Sequence, residues 1–245
     1  MRLSGFQSRA LPIVLILLAA IMLYVAYLSI KPTSKDIEYM EGEIQLYEPV
    51  KKGTVSIEEA ISRRRSIRNY TSEPLNLQEV GQLLWAAQGV TEPNWSLRAA
   101  PSAGGTYPLE IYIVVSLNGV DNLPPGVYRY IPKHHSIILV AKGDKMNDLA
   151  VAALDQQWVA ESKISLVIAA LFERTTDRYG ERGIRYVYME AGHASQNIYL
   201  QAVALNLGTV AIGAFHDEQV QKIVDMPDKE KPLYILPVGR PKPGI

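Results

Sequence analysis

The residues best suited to chemistry begin with a basic stretch, RRRSIR, at positions 63–68. A guanidinium presents a fixed fork of N–H donors that matches the oxygens of a phosphate. Arg64 and Arg68 would share one face of a helix that continued this far, because residues four apart are neighbours on a helix surface. The stretch can therefore hold a phosphate. The helix dipole also stabilises cations at a helix C-terminus, so a purely structural role is the alternative.

Three further segments are rich in small residues, which let a backbone come close to a flat or bulky group. In chain order they are PSAGGTYP at 101–108, AGHASQN at 191–197 and AIGAF at 211–215. A tight turn would explain the first segment without a ligand, and helix packing would explain the second. A fourth segment, PVGRPK at 237–242, adds a basic group that could complete a phosphate site.

Several other chemistries lack the residues that they need. The chain has no cysteine, which excludes disulfides, thiolate nucleophiles and sulfur-ligated metals. It has no Gly-x-Gly-x-x-Gly after a strand, no Walker A loop and no His-Glu-x-x-His, and its four histidines lack metal-ligand spacing, so we expect no metal. The formal net charge is zero, so we expect no nucleic-acid partner. Redox chemistry would therefore need a bound cofactor.

Apolar periodicity and capping patterns predict the elements that position these segments. Ser56 and Asn76 each precede a glutamate by three residues, which predicts two helix starts, and the first helix runs into the basic stretch. Runs rich in β-branched residues predict strands, and residues 181–207 predict one long helix. This mixture of elements indicates an α+β fold or three-layer sandwich.

The first thirty residues differ from the rest of the chain. Residues 10–30 contain no charged side chain, and as a helix they would extend about 30 Å, the thickness of a bilayer core. A cleaved signal peptide is the alternative, but no A-x-A site follows. We therefore predict a membrane protein with a single-pass anchor at 1–30, a linker at 31–55 and a catalytic domain at 56–245. Basic residues flank the apolar stretch almost evenly, so they do not fix the side that the domain faces.

The order and spacing of these segments closely resemble the nitroreductase superfamily, and within it the SagB-type dehydrogenases, relatives of thiazoline and oxazoline oxidases. The resemblance runs from about Ser56 to Arg240 and includes LLWAAQGV at 83–90 and GVYRY at 126–130. It implies a nitroreductase-like three-layer sandwich with a central mixed sheet flanked by helices. It also implies a homodimer with FMN at the subunit interface.

The resemblance assigns cofactor-binding roles segment by segment. The residues that match the stretch gripping the FMN phosphate, the ribityl chain and the pyrimidine edge are Arg64, Arg65, Ser66 and Arg68. Those that match the loop laid against the isoalloxazine by the partner subunit are Pro101, Ser102, Ala103 and Gly104. Those that match the segment whose backbone amide faces flavin N5 are Ile212, Gly213 and Ala214. Those that match a C-terminal phosphate contact are Gly239 and Arg240.

One position departs from the azoline oxidases, which resemble one another in a Lys-Tyr pair thought to help remove the substrate proton. The matching residues here are Arg178 and Tyr179. Arginine stays protonated and is a poor base, which counts against azoline oxidation, while Tyr179 could still donate or accept a proton. We predict an FMN-dependent oxidoreductase that transfers a hydride through flavin N5, with a small-molecule or peptide substrate. The alternative is a non-catalytic flavin-binding or scaffold protein attached to a membrane complex.

Overall fold

The structure, a computed structural model, describes residues 42–243. Its strands are β1 (Glu43–Gln45), β2 (Val90–Glu92), β3 (Leu97–Arg98), β4 (Leu109–Val115), β5 (Gly126–Ile131), β6 (Ser136–Lys142), β7 (Ile164–Leu171), β8 (Gly208–Thr209) and β9 (Glu230–Gly239). Its helices are α1 (Ile57–Arg63), α2 (Leu77–Gln88), α3 (Met146–Ala152), α4 (Gln157–Ala160), α5 (Glu173–Tyr179), α6 (Arg182–Ala204) and α7 (Asp217–Ile223). A single 3₁₀ turn, Ala103–Gly105, lies before β4.

A seven-stranded sheet organises the domain, with the strand order β1-β6-β5-β4-β7-β9-β8. All its pairings between these strands are antiparallel, so the prediction of a mixed sheet was wrong. Antiparallel neighbours can be joined by a short turn, as β5 and β6 are, whereas parallel neighbours need a long crossover. The strands β2 and β3 form a separate two-stranded ribbon.

Helices cover both faces of this sheet. The central strands β4 and β7 are buried along almost their whole length, as strands between two layers must be. On one face, Val114 and Val167 pack with Leu149 of α3 and Val220 of α7. On the other face, α2 and α6 contact the sheet and each other. The predicted α+β fold is confirmed, with an antiparallel sheet in place of a mixed one.

Two predicted helix starts are confirmed by their caps. The Ser56 hydroxyl accepts a hydrogen bond from the Glu59 backbone at 3.1 Å and begins α1. Asn76 and Glu79 form a reciprocal capping box at the start of α2. The predicted helix over 181–207 is shorter in the structure, where α6 ends at Ala204. A separate helix, α5, precedes it and ends at Gly180, whose φ of 59° is a left-handed conformation that suits glycine.

Part of the predicted linker at 31–55 belongs to the folded domain. The strand β1 pairs with β6 at the edge of the sheet. The Val50 backbone N–H donates to Gln82 Oε1 at 2.8 Å, and Gln82 Nε2 donates back to the Val50 carbonyl at 3.0 Å. The fold therefore begins before residue 56. Its strand was missed because three residues are too few to show an alternating pattern.

The prediction of a membrane location needs correction. Among residues 42–243, no helix has both the length and the apolar character needed to cross a membrane. The segment on which the prediction depended, the anchor at residues 10–30, lies outside the described residues. The apolar segments that the structure does describe are short core strands or amphipathic helices.

Candidate functional site

The helix α1 ends before the last arginines of the basic stretch. Arg64 terminates α1 with extended ψ, so Arg64 and Arg68 do not share a helix face. The chain then runs beside β8 instead. Ser66 bridges Thr209 in parallel, and the Ile67 N–H donates to the Thr209 carbonyl at 2.9 Å. The backbone of the stretch is therefore fixed to the edge of the sheet.

Tyr199 of α6 joins the basic stretch to the segment at 211–214. Its hydroxyl lies 3.1 Å from the Ser66 hydroxyl and accepts the Ala211 N–H at 2.7 Å. The Arg64 guanidinium lies over its ring, 5.3 Å from the centroid. Tyr199 was not among the predicted site residues, because a tyrosine within a long helix has the same pattern as a packing residue.

Arg63 pairs with Glu59 at 2.7 Å, whereas no described carboxylate forms an ion pair with Arg64, Arg65 or Arg68. Arg65 and Arg68 are exposed and Arg64 is half-buried. Arg68 lies over the Trp158 ring at 5.4 Å, while Arg65 Nη1 donates to the carbonyls of Ser62 and Arg64. Arg64 and Arg68 therefore keep guanidinium donors that an anion could use.

The segment at 211–214 changes from buried to exposed within a few residues. Ile212 is buried and exchanges two backbone hydrogen bonds with Ile235 of β9, at 2.9 and 3.0 Å. Gly213 and Ala214 follow and are exposed. The backbone beyond Ile212 can therefore be reached by a ligand.

Gly239 and Arg240 have structural contacts that account for both residues. A Cβ on Gly239 would lie 2.8 Å from the Tyr70 side chain, so the position requires glycine for packing. Arg240 makes a two-pronged pair with Glu79, both contacts at 3.1 Å, and its Nε lies 2.9 Å from Glu73. Its guanidinium contacts two carboxylates, and its phosphate contact stays a prediction.

The loop at 101–104 lies against the predicted catalytic pair. Gly104 has a φ of 60°, and a Cβ there would collide with the Tyr179 hydroxyl and the Arg178 guanidinium. Arg178 Nη1 donates to the Gly104 carbonyl at 2.9 Å. Pro101 and Gly104 are exposed, while Ser102 and Ala103 are half-buried. The structure therefore brings Arg178 and Tyr179 together with this loop.

The helix α5 holds the same loop at two further points. Arg174 Nη1 donates to the Tyr107 carbonyl at 3.0 Å, and the hydroxyls of Thr175 and Thr106 lie 2.8 Å apart. Arg174 also pairs with the buried Glu110 of β4 at 2.6 Å. Residues 104–107 and α5 therefore form one hydrogen-bonded unit, which we call the α5–loop unit.

A buried carboxyl lies behind the loop. Glu190 of α6 is 2% exposed, and burial raises its pKa to about 7, although the nearby Ser102 hydroxyl, Gln88 amide and Arg98 guanidinium lower it. Glu190 Oε1 and Gln88 Nε2 are both buried without a hydrogen-bond partner in the described part of the chain. Glu190 was not among the predicted site residues, because a glutamate in a helix is usually a solvent-facing residue.

The predicted site residues form two groups in one chain. The first group surrounds Tyr199 and the second surrounds the α5–loop unit and Glu190. Glu190 and Tyr199 are nine positions apart on α6, which corresponds to about 13 Å along the axis and half a turn around it. The two groups therefore lie on opposite faces of the same helix.

The architecture and the chemistry of these residues agree with one family. The model described as the Nitroreductase family matches residues 61–240. The chain belongs to the nitroreductase family. This membership confirms the predicted family and the general class of oxidoreductases related to flavin-dependent enzymes.

Individual relatives and a solved structure are also similar to this chain. MJ1384, a nitroreductase-family protein of Methanocaldococcus jannaschii, is 48% identical over 76% of this chain and 91% of its own length. The microcin B17-processing protein McbC of Escherichia coli is 25% identical over 78% of this chain and 73% of its own. A crystal structure of a nitroreductase-family protein from Ralstonia eutropha has a TM-score of 0.72 at 26% sequence identity. The match covers 83% of this chain and 91% of that chain.

Proposed function

We propose that this protein is an FMN-dependent oxidoreductase that works as a homodimer. The observation that carries the proposal is the unneutralised charge of Arg64 and Arg68, beside Ser66 and the exposed backbone of Gly213 and Ala214. Two guanidinium groups and a hydroxyl are the donors that a phosphate monoester dianion requires. An exposed backbone next to them is accessible to the ring of the same cofactor.

The residues present fit FMN better than a larger dinucleotide. The phosphate donors lie together on one short stretch, and Arg240 is already paired with Glu73 and Glu79. A second phosphate would need further cations, and the resemblance supplies none beyond these. We therefore propose Arg64, Ser66 and Arg68 as the phosphate site and Ile212, Gly213 and Ala214 as the segment beside flavin N5.

When bound, the flavin supplies two-electron chemistry at N5. The chain binds and orients it, and the loop at 101–104 keeps water from the ring. Arg178 is held on the Gly104 carbonyl, and a guanidinium carries donors but no acceptor, so its role is to position the loop and attract an anionic group. The Tyr179 hydroxyl, which lies against the same glycine, can hold or give up a proton close to a substrate.

A second copy of the chain explains why the two groups of residues lie apart. We infer that the loop of one subunit covers the flavin whose phosphate is held by the other. Large apolar side chains are exposed on α1 and α6, as an interface would require: Ile57, Ile61, Ile184, Tyr188 and Met189. Burying these side chains against a partner would contribute to dimer stability.

The finer class within the family is also a proposal. The relative named for microcin B17 processing supports a SagB-type enzyme with a small-molecule or peptide substrate. Arg178 in the position of the lysine argues against azoline oxidation, because a guanidinium does not remove a proton. We therefore favour a SagB-type dehydrogenase that uses Tyr179 for proton transfer and a substrate other than an azoline.

The test is to purify the full chain and to measure its absorption spectrum, its released cofactor and its mass by sedimentation. We expect an oxidised-flavin band, released FMN rather than FAD, and a dimer. Anaerobic stopped-flow mixing with NADH and with NADPH should then bleach the flavin band. A colourless protein that does not take up added FMN would disprove the proposal. A flavin that no nicotinamide or other electron carrier reduces would instead favour a non-catalytic flavin-binding protein.

A further inference from the structure

The buried cluster behind the loop at 101–104 has no role in the function proposed above. Its members are Gln88 at the end of α2, Arg98 on β3, Ser102 on the loop and Glu190 on α6. Arg98 Nη1 donates to Gln88 Oε1 at 3.0 Å, and its guanidinium lies 4.6 Å from the Tyr107 ring centroid. Four separate parts of the chain therefore meet at one carboxyl group.

Two atoms of this cluster are left without hydrogen-bond partners in the described structure. They are Gln88 Nε2, a donor on a fully buried residue, and Glu190 Oε1, an acceptor on a residue that is 2% exposed. A buried polar group without a partner is costly, and such groups persist where function requires them. A carboxyl with one oxygen unbonded can gain a proton without breaking an existing bond at that oxygen.

The hydroxyl of Ser102 connects this carboxyl to the loop. Ser102 Oγ accepts the Tyr107 N–H at 2.8 Å and so closes the turn between positions 102 and 107. A serine hydroxyl that accepts one bond still has a hydrogen to donate. The nearby carboxyl of Glu190, whose pKa this hydroxyl lowers, can accept that hydrogen, and the loop conformation would then depend on Glu190.

We propose that Glu190 is a positioning residue that holds the loop at 101–104 through Ser102 and takes up a proton when a flavin ring covers that loop. This inference rests on the proposed function, because it requires the flavin to bind there. A ring over the loop removes water near the cluster, and this desolvation favours the neutral acid. Flavin binding and proton uptake are therefore linked.

The charges around Glu190 define the pH range of this linkage. Burial raises its pKa to about 7, and Arg98 opposes that rise. Arg98 itself faces Glu110 and Arg174, while Gln88 and Ser102 are neutral. Because a bound ring raises the pKa of Glu190 further, flavin affinity falls as the pH rises above about 7, where the free protein no longer carries the proton.

The experiment measures flavin affinity from pH 6 to pH 9 with riboflavin, which has no phosphate to titrate. We expect the dissociation constant of the native protein to rise by up to about tenfold per pH unit above pH 7, since one linked proton gives that slope. The Glu190→Gln variant should lose the slope. Glu181→Gln is the matched control, since Glu181 is an exposed glutamate at the start of the same helix and makes no side-chain cap bond.

A second measurement needs no flavin. Amide exchange at Tyr107, whose N–H is held by Ser102, should vary with pH around 7 in the native protein and lose that variation in Glu190→Gln. Riboflavin bound with equal slopes in both proteins would overturn the role of Glu190 and leave the proposed function intact. Native protein that binds neither riboflavin nor FMN would overturn the proposed function and the linkage together. Unchanged exchange at Tyr107 in the variant would overturn the positioning role by itself.

Discussion

Arg64 and Arg240 were both predicted to contact one phosphate, yet their surroundings differ. Arg64 lies half-buried over an aromatic ring with no described carboxylate paired to it. Arg240 is held by Glu79 and Glu73. The number of donors is the same in both, so the neighbouring acids decide which arginine can bind an anion. Residue type alone is therefore insufficient to assign a phosphate contact.

The partner of Arg240 already has another role. Glu79 accepts the Asn76 N–H at 2.9 Å as part of the capping box of α2, and the same carboxylate receives Arg240. The end of β9 is thus fixed to the start of α2. By contrast, the contacts of Arg64 and Ser66 with Tyr199 orient the basic stretch without neutralising it. One region is suited to stability and the other to binding.

The largest effect should follow from changing the basic stretch. Each of Arg64→Ala and Arg68→Ala removes a charge-assisted hydrogen bond, so FMN affinity should fall about 10- to 100-fold in each variant. Flavin fluorescence titration measures this loss. Stability without flavin should change by less than about 1 kcal/mol, and added FMN should restore thermal stability. Native affinity in both variants would place the phosphate elsewhere.

Arg240→Ala is expected to lower the stability of the protein and to leave flavin affinity unchanged. The change leaves the Glu79 carboxylate half-buried without its guanidinium, which should cost on the order of 2 kcal/mol of the free energy of unfolding. Urea unfolding of the flavin-free protein measures this, and FMN affinity per folded molecule should stay unchanged. The control is Lys242→Ala, at an exposed neighbouring cation, with an expected change below about 0.5 kcal/mol. A loss of FMN affinity in Arg240→Ala would return this arginine to the phosphate site.

Within the basic stretch, the smallest effect on binding should come from Arg65→Ala. Its guanidinium points back to the carbonyls of Ser62 and Arg64, at 3.0 and 2.8 Å, and helps to satisfy the end of α1. We expect FMN affinity to change by less than about threefold, measured beside Arg64→Ala under the same conditions. An equal loss in the two variants would show that Arg65 turns towards the ligand.

Local patterns predicted most elements of the fold but not the directions of the strands. The caps at Ser56 and Asn76 were predictable because a helix start depends on residues three apart. The antiparallel strand directions were not predictable, because the direction of β9 beside β7 depends on where the helices between the two strands end. The helix α5, which ends just before Gly180, was not predicted, and the left-handed φ of Gly180 is not evident from sequence.

The segments of the candidate site could be predicted from the sequence, but the contacts between distant residues could not. The basic stretch and the glycine-rich loop stand out by composition, and Arg178 and Tyr179 came from the family resemblance. Tyr199 and Glu190 become visible only when distant parts of the chain meet, since their neighbours Ser66 and Ser102 are far away in sequence. The pairing of Arg240 with Glu79 spans 161 positions, which no local pattern can reveal.

The α5–loop unit has a consequence for how a cofactor enters and leaves. Three hydrogen bonds join α5 to residues 104–107, and Arg174 adds an ion pair with the buried Glu110 of β4. A loop held in this way does not open alone, so the smallest unit that can open is the helix with its loop. Opening a larger cooperative unit is rarer than fluctuation of a free loop. Cofactor exchange would then be limited by this opening, or by separation of the subunits, and a bound flavin would stay for many turnovers.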